Sequence, residues 1–389
     1  MKKWVHKTVA TRLSEPSELL LKTALWKGPA ARQAGLRWLE SAKIETVSTG
    51  TRRLLPLAYD SLLREGVEHA FMPLMKGIKR HTWFVNRLLF RGADPVVTAL
   101  RQAGVEVMIL KGAPLAIAYY RDFALRSMSD IDLLVRFESA RAAVHLLVEM
   151  GWTPELSLTG LDRHLRYDNA RHFSKQEKEK IDLHWHLLPF CVGPHADDSF
   201  WEGSREMQFE SNTVRALNPA DQLLHTCVHG AEWGRAATVQ WIADAMVILR
   251  ETPDLDWDRL LKQARLRELT LCMREALRYM NSTFEAPVPR QVLRDLDSAR
   301  VTPREERRYL DVINHQPEQL ATLAEAVRRY ERIARCFGHH EGSSFLDYVR
   351  SCARVEQTWQ LPLVVLEKVW QKGFGELKER RQPLQAPPV

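Results

Sequence analysis

The chain has 389 residues, 45% apolar and 27% charged, with 12 Trp. That composition excludes disordered, collagen-like and mucin-like polypeptides and supplies a core without disulfide or metal staples; the length predicts two or three domains. The net charge of +7 is uneven, with residues 1–98 at +9 and the remainder at −2.

Such an excess would steer a nucleic acid or another acidic partner toward the N-terminal helices. The plainer reading is a solvated helix surface, because the cations are interleaved with apolar residues. Cys191, Cys227, Cys272, Cys336 and Cys352 are scattered and form no C-x-x-C, so a reducing cytoplasm is expected. No run approaches the ~18 apolar residues of a membrane span. The basic start Met1–Lys7 leads into Thr8, Thr11, Ser14 and Glu15, which predicts no signal peptide.

From Ser17 to about Thr98 apolar residues recur at helical spacing, predicting three to five helices with a break at Gly92-Ala93-Asp94-Pro95. The β-branched run Val105–Leu110 predicts a strand, followed by a turn at Lys111-Gly112 and a helix over Ala113–Tyr120. A second strand is expected at Ser129–Val135 and an amphipathic helix at Glu138–Met150, which Gly151 can cap. A hairpin is expected from Arg171-His172-Phe173, through the Gln176–Lys180 turn, into Ile181–Leu187. From Pro219 the helical period returns, and Arg380–Val389 is expected as a loose Pro-rich tail. The domains expected are 1–98, helical and basic; 99–215, α/β; and 216–389, helical with a loose tail.

Three features carry candidate chemistry. Asp130 and Asp132 alternate with Ile131, which places both carboxylates on one strand face about 6.6–7 Å apart along the chain. Two such carboxylates repel unless a cation lies between them, and Mg²⁺ favours carboxylate plus phosphate oxygens. Asp182 lies on a strand whose alternation sends Ile181, Leu183 and Trp185 to one face and Asp182, His184 and His186 to the other. These acidic groups are expected on a solvated cleft face, where Asp→Asn would leave folding nearly unchanged. The spacing of His184 and His186 also suits zinc, but no further His or Cys at ligand spacing supports it. At Lys111-Gly112 a strand turns into a helix, and the small residue, the free N–H groups and the Lys charge make a phosphate cradle. Arg126 would hold a phosphate or neutralise the carboxylates.

The order of a strand–turn–helix, a D-x-D strand and a later strand with a lone Asp resembles the polymerase-β-like nucleotidyltransferases. More narrowly, Leu110-Lys111-Gly112, Leu125–Val135 and Ile181–Trp185 resemble the uncharacterised bacterial nucleotidyltransferase family of the NTP_transf_5 type. The segments Leu223–His229, Trp241–Ala245 and Asp256-Trp257 resemble that family's helical half, so the similarity runs over about residues 15–280. The resemblance implies an α+β, mostly helical fold, with a small mixed-sheet nucleotidyltransferase core between N- and C-terminal helical domains.

It further implies an enzyme that moves an NMP from an NTP, such as ATP, to an unidentified acceptor: a small molecule, an RNA end, a peptide or a protein. Asp130, Asp132 and Asp182 would be catalytic and hold two Mg²⁺ ions, while Lys111, Gly112, Arg126 and Ser129 would bind nucleotide. His184, His225, His229 and Trp241 would lie on the acceptor side, although buried packing is the plainer reading for the last three. Lys111-Gly112 departs from the superfamily's usual Gly-Ser turn, so an ammonium replaces a hydroxyl at the phosphate. The alternative is a module of the same fold that binds nucleotide or RNA without turnover, through the basic N-terminal helices.

Overall fold

The computed structural model describes residues 13–42, 49–155, 157–176, 179–233, 239–314, 323–337, 344–353 and 355–362. The basic start Met1–Lys7 and the tail Arg380–Val389 lie outside these residues.

The chain opens with helices α1 (Glu15–Leu25), α2 (Gly28–Ser41), α3 (Thr49–Arg52), α4 (Leu55–Arg64) and α5 (Met72–Gln102). Strand β1 (Val107–Leu110) leads through α6 (Gly112–Pro114) and a π-helical turn (Leu115–Tyr120) to β2 (Ile131–Val135) and α7 (Ala140–Glu149). Then come β3 (Thr153–Pro154), α8 (Leu161–Tyr167), β4 (Ala170–Lys175), β5 (Glu179–His184), α9 (Asp198–Glu202), β6 (Arg205–Phe209) and β7 (Asn212–Ala216). The rest is helical: α10 (Pro219–Trp233), α11 (Gln240–Glu251), α12 (Trp257–Leu266), α13 (Thr270–Phe284), α14 (Arg290–Ser298), α15 (Pro303–Asn314), α16 (Leu323–Phe337) and α17 (Phe345–Cys352). The fold is α+β and mostly helical, with a mixed sheet, as the resemblance implies. No described helix is long and apolar enough to cross a membrane.

Several boundaries differ from expectation: β2 begins at Ile131 rather than Ser129, which leaves Asp130 outside the strand, β5 ends at His184 rather than Leu187, and the break at Gly92-Ala93-Asp94-Pro95 is absent. Pro95 lies inside α5, which runs unbroken to Gln102. A proline interrupts a helix by removing one N–H and crowding the preceding turn. Pro95 is exposed while Val96, Val97 and Leu100 are fully buried, so water can satisfy the freed carbonyl while apolar packing holds the helix across the defect.

The strands order as β3-β4-β5-β2-β1-β7-β6. At the centre β2 pairs antiparallel with β1 and parallel with β5. Side chains alternate across a strand, and here the alternation divides two cores. Val107 and Ile109 of β1, Ile131, Leu133 and Val135 of β2, and Ile181 and Leu183 of β5 pack with α5 and α7. Met108, Leu110 and Leu134 point the other way, into a core shared by α1, α2, α4 and helices α10 to α15. Asp132 falls on this second face by alternation, so the polar site opens between the sheet and the helical body.

Candidate active site

Strand register brings the acidic groups together. Asp132 lies beside Asp182 on the parallel pair β2–β5, and Leu110, the last residue of β1, lies opposite Asp132. Asp132 and Asp182 are 4% and 5% exposed, and His184 only 3%. The expectation of a solvated cleft face is therefore corrected: the helical body covers this side of the sheet, and the carboxylates are buried.

Burial on this scale requires compensating charge and hydrogen bonds. His184 Nε2 lies 2.9 Å from Asp182 Oδ2 and 3.1 Å from Asp132 Oδ1. The Lys111 ammonium donates to Asp132 Oδ1 and stands 3.6 Å from Asp182 Oδ2. Burial alone would raise the carboxyls, but Lys111 and His184 hold Asp132 well below the usual range, and His184 lowers Asp182. The carboxylates in turn overcome the desolvation of His184 and raise it to about 9. They likewise raise Lys111. At neutral pH the four side chains thus form a charge-balanced cluster.

Lys111 reaches this cluster through an unusual backbone. Continued alternation would send it to the side of Ile109, under α5; its φ of 50° and ψ of −113° turn it toward Asp132 instead. Such a conformation costs a non-glycine residue on the order of 1–3 kcal/mol and persists only where its surroundings enforce it. At Gly112 the requirement is space, since a Cβ there would collide with the Arg126 guanidinium and Met128.

Arg126 is anchored on the helical body. Its Nη2 donates to Asp244 Oδ2 at 3.0 Å, its Nε lies 3.3 Å from both carboxylate oxygens, and Tyr120 donates to Asp244 Oδ1 at 2.9 Å. Nη1 is left against the Gly112 turn. The same loop is fastened by Asn86, which donates to the carbonyls of Phe123 and Arg126 at 2.6 and 2.7 Å, and by Gln240, which donates to the Ser127 carbonyl at 3.1 Å.

The remaining predicted residues scatter around this centre. Asp130 precedes β2 and is partly buried, with Ser129 donating to it at 3.2 Å. Burial and the Asp132 charge push its carboxyl upward. His225 is buried on α10, where desolvation, then the His229, Lys111 and His184 charges, push it well below its ordinary value. His229 is exposed, with its ring centroid 6.1 Å from that of His225. Trp241 packs against Gly230 in the α10–α11 seam, where a Cβ would collide with it. His186 leaves the strand face altogether and bonds Asp197 at 3.0 Å.

Sequence reasoning missed His172, Asn169 and the role of Asp244. His172 sits opposite Asp182 in the β4–β5 hairpin, with Nδ1 3.3 Å from Asp182 Oδ1. The hairpin pairing of Phe173 with Ile181 was the available signal, because residues opposite one another share a face. Asn169 Nδ2 lies 3.4 Å from His184 Nδ1. Asp244 is 118 residues from Arg126, and no local pattern joins them.

One ligand atom each from Asp132, Asp182 and His184 lies within 4.8 Å of the others, a set that could hold a divalent cation once His184 gives up its proton. Asp182 Oδ1 is buried and makes no well-aligned hydrogen bond, with His172 Nδ1 3.3 Å away.

A family model described as uncharacterised nucleotidyltransferase matches residues 49–285, more than half of the chain. The protein belongs to that nucleotidyltransferase family. The match contains the whole Asp132–Asp182 cluster as well as Arg126, Asp244 and the α10 histidines, and begins after α2. Membership assigns this nucleotidyltransferase its general class of chemistry. No curated protein matches the chain.

Proposed function

We propose that this nucleotidyltransferase moves a nucleoside monophosphate from an NTP, such as ATP, to a hydroxyl or phosphate on an acceptor, releases pyrophosphate, and uses two Mg²⁺ ions. The observation that carries this reading is the in-register pair of buried carboxylates within the family-matched region. Two buried carboxylates side by side require compensating positive charge. A hard divalent cation supplies it and suits carboxylate ligands.

Asp132, Asp182 and, at the strand entry, Asp130 would hold the ions. Bound there, the ions stabilise the attacking and leaving oxygens of an in-line displacement. The chain's own residues bind and orient. Lys111 and the Nη1 edge of Arg126 meet at Gly112 and would take the triphosphate, the rest of the Arg126 fork being held by Asp244. Ser129 would assist from the mouth. His184 orients both carboxylates through Nε2. Asp182 serves as ligand or as base for the incoming hydroxyl, and His184, His225 and His229 are assigned to the acceptor side.

An RNA acceptor is supported by the outer face of α5. A groove of about 350 Å³ there is lined by Tyr59, Lys76, Lys79, Arg80 and Trp83; Lys79 is held by Asp60 at 2.7 Å, which leaves Lys76 and Arg80 as the cations offered to a phosphate. Trp83 and Phe84 are 50% and 54% exposed. Cations beside exposed aromatics suit phosphates and stacked bases; affinity for single-stranded RNA that ignores added salt would count against this contact.

The second reading, a module that binds without turnover, is favoured by Lys111 itself, since the chain already supplies a cation to the carboxylates. Transfer of label from α-³²P NTPs to RNA or a metabolite extract, with Mg²⁺, separates the two. Activity in the wild type that disappears in Asp132→Asn and Asp182→Asn supports the enzyme. Mg·NTP binding without label transfer or pyrophosphate release supports the module.

A further inference from the structure

The position of Lys111 bears on how the site is loaded, an argument that rests on the metal-site reading above. The Lys111 ammonium contacts Asp132 Oδ1 and lies 3.6 Å from Asp182 Oδ2 and 3.3 Å from His184 Nε2. Those are the three residues whose ligand atoms converge within 4.8 Å. The ammonium therefore occupies the seat that a divalent cation would take. Nor is this contact incidental to an ordinary backbone: the left-handed φ of 50° turns the side chain away from the face it would otherwise join.

We infer that Lys111 is a resident cation of the carboxylate site, which a divalent ion must displace, so that metal binds weakly alone and strongly together with the triphosphate. Two cations within hydrogen-bonding reach of the same oxygens repel each other, and the repulsion is large where water is excluded. A metal arriving alone leaves the ammonium without a partner. A metal arriving with a triphosphate brings an anion to receive it, beside Gly112 and the Nη1 edge of Arg126. Each ligand then raises the affinity for the other by the same factor. Lys111 is on this account a loading residue, exchanged from carboxylate to phosphate as the site fills.

Mn²⁺ binding, followed by electron paramagnetic resonance on the full chain without nucleotide, tests this in the wild type, Lys111→Met and Lys111→Arg. The expected result is at least tenfold tighter Mn²⁺ binding in Lys111→Met, wild-type affinity in Lys111→Arg, and weaker Mg·ATP binding in Lys111→Met. A second measurement needs no variant: amine labelling of wild-type Lys111, read by mass spectrometry, should rise with saturating Mn²⁺ alone, which strands the ammonium, and fall again when ATP is added. Mn²⁺ affinity that is equal or lower in Lys111→Met overturns the inference and leaves the metal-site reading standing. Absence of Mn²⁺ binding in every protein, with or without ATP, overturns both. Should Lys111→Met fail to fold, labelling of wild-type Lys111 that is unchanged by bound Mn²⁺ alone overturns the inference by itself.

Discussion

Asp130 and Asp132 are two residues apart and both acidic, yet their replacement by Asn should move stability in opposite directions. Asp132 is 4% exposed and holds the Lys111 ammonium and His184. Its loss leaves two buried cations facing Asp182 alone. Burial depresses His184, the Asp182 charge is the largest cause that raises it to about 9, and the Asp132 hydrogen bond is a smaller one, so the loss falls mainly on the Lys111 pairing. Breaking a buried ion pair costs about 3–5 kcal/mol by comparison with other proteins, which sets the expected scale. Asp130 is different, because burial and the Asp132 charge both oppose its ionisation. Removing that charge relieves a repulsion, and Asp130→Asn should be neutral or stabilising. Equilibrium urea unfolding at pH 7 in EDTA measures both variants against the wild type. A metal-free Asp132→Asn protein as stable as the wild type, or an Asp130→Asn protein equally destabilised, would refute the charge-balanced cluster.

His184 and His225 should give metal-free stability two limbs in pH. The folded value of His184, about 9, lies above its unfolded value near 6.5, so its contribution is complete below pH 6.5 and is lost as pH rises toward 9. His225 is shifted downward from 6.5, so the unfolded chain binds the extra proton and stability falls as pH drops below 6.5. Urea midpoints over about pH 5–10 should flatten on the alkaline side in His184→Gln and on the acid side in His225→Gln. Asp244→Asn strands the buried Arg126 guanidinium and should cost about 3–5 kcal/mol in the same assay, with Mg·ATP binding weakened as the 121–127 loop loosens. Gly112→Ala forces Arg126 and Met128 aside, at a cost of about 1–3 kcal/mol, and isothermal titration should show lost nucleotide affinity.

What the sequence made legible was local. Alternation in Ser129–Val135 and Ile181–Leu187 located both strands and set Asp132 and Asp182 opposite the apolar residues of their own strands, but that the two lie side by side comes from the β2–β5 register. Lys111-Gly112 marked the turn that follows β1. What stayed hidden depends on distant packing. Nothing near Asp132 shows that the helices after Pro219 cover its side of the sheet, so a buried site read as a solvated one. Periodicity cannot foresee a left-handed Lys111, because only the enclosing cluster stabilises that backbone. The GADP segment of α5 reads locally as a break, yet Val96, Val97 and Leu100 have apolar partners across the sheet that hold it helical.

The helical body is consequently part of the site, and this leads to a test of the α/β segment on its own. Residues 99–215 would keep every strand except the last residue of β7. They would also expose Met108, Leu110 and Leu134, each fully buried against the helical core, and release Arg126 from Asp244 and the Ser127 carbonyl from Gln240. Each buried Leu or Met contributes about 1.5–3 kcal/mol, so these three account for several kcal/mol, comparable with the whole stability of a typical domain at about 5–15 kcal/mol. The fragment is expected to lack cooperative thermal unfolding and near-ultraviolet dichroism, whereas 49–285, which retains α10, α11 and α13, should keep both. A 99–215 fragment that melts cooperatively and binds Mg·ATP would show that the strands and their turn build the site unaided, and that the contacts from Asp244 and Gln240 are incidental to it.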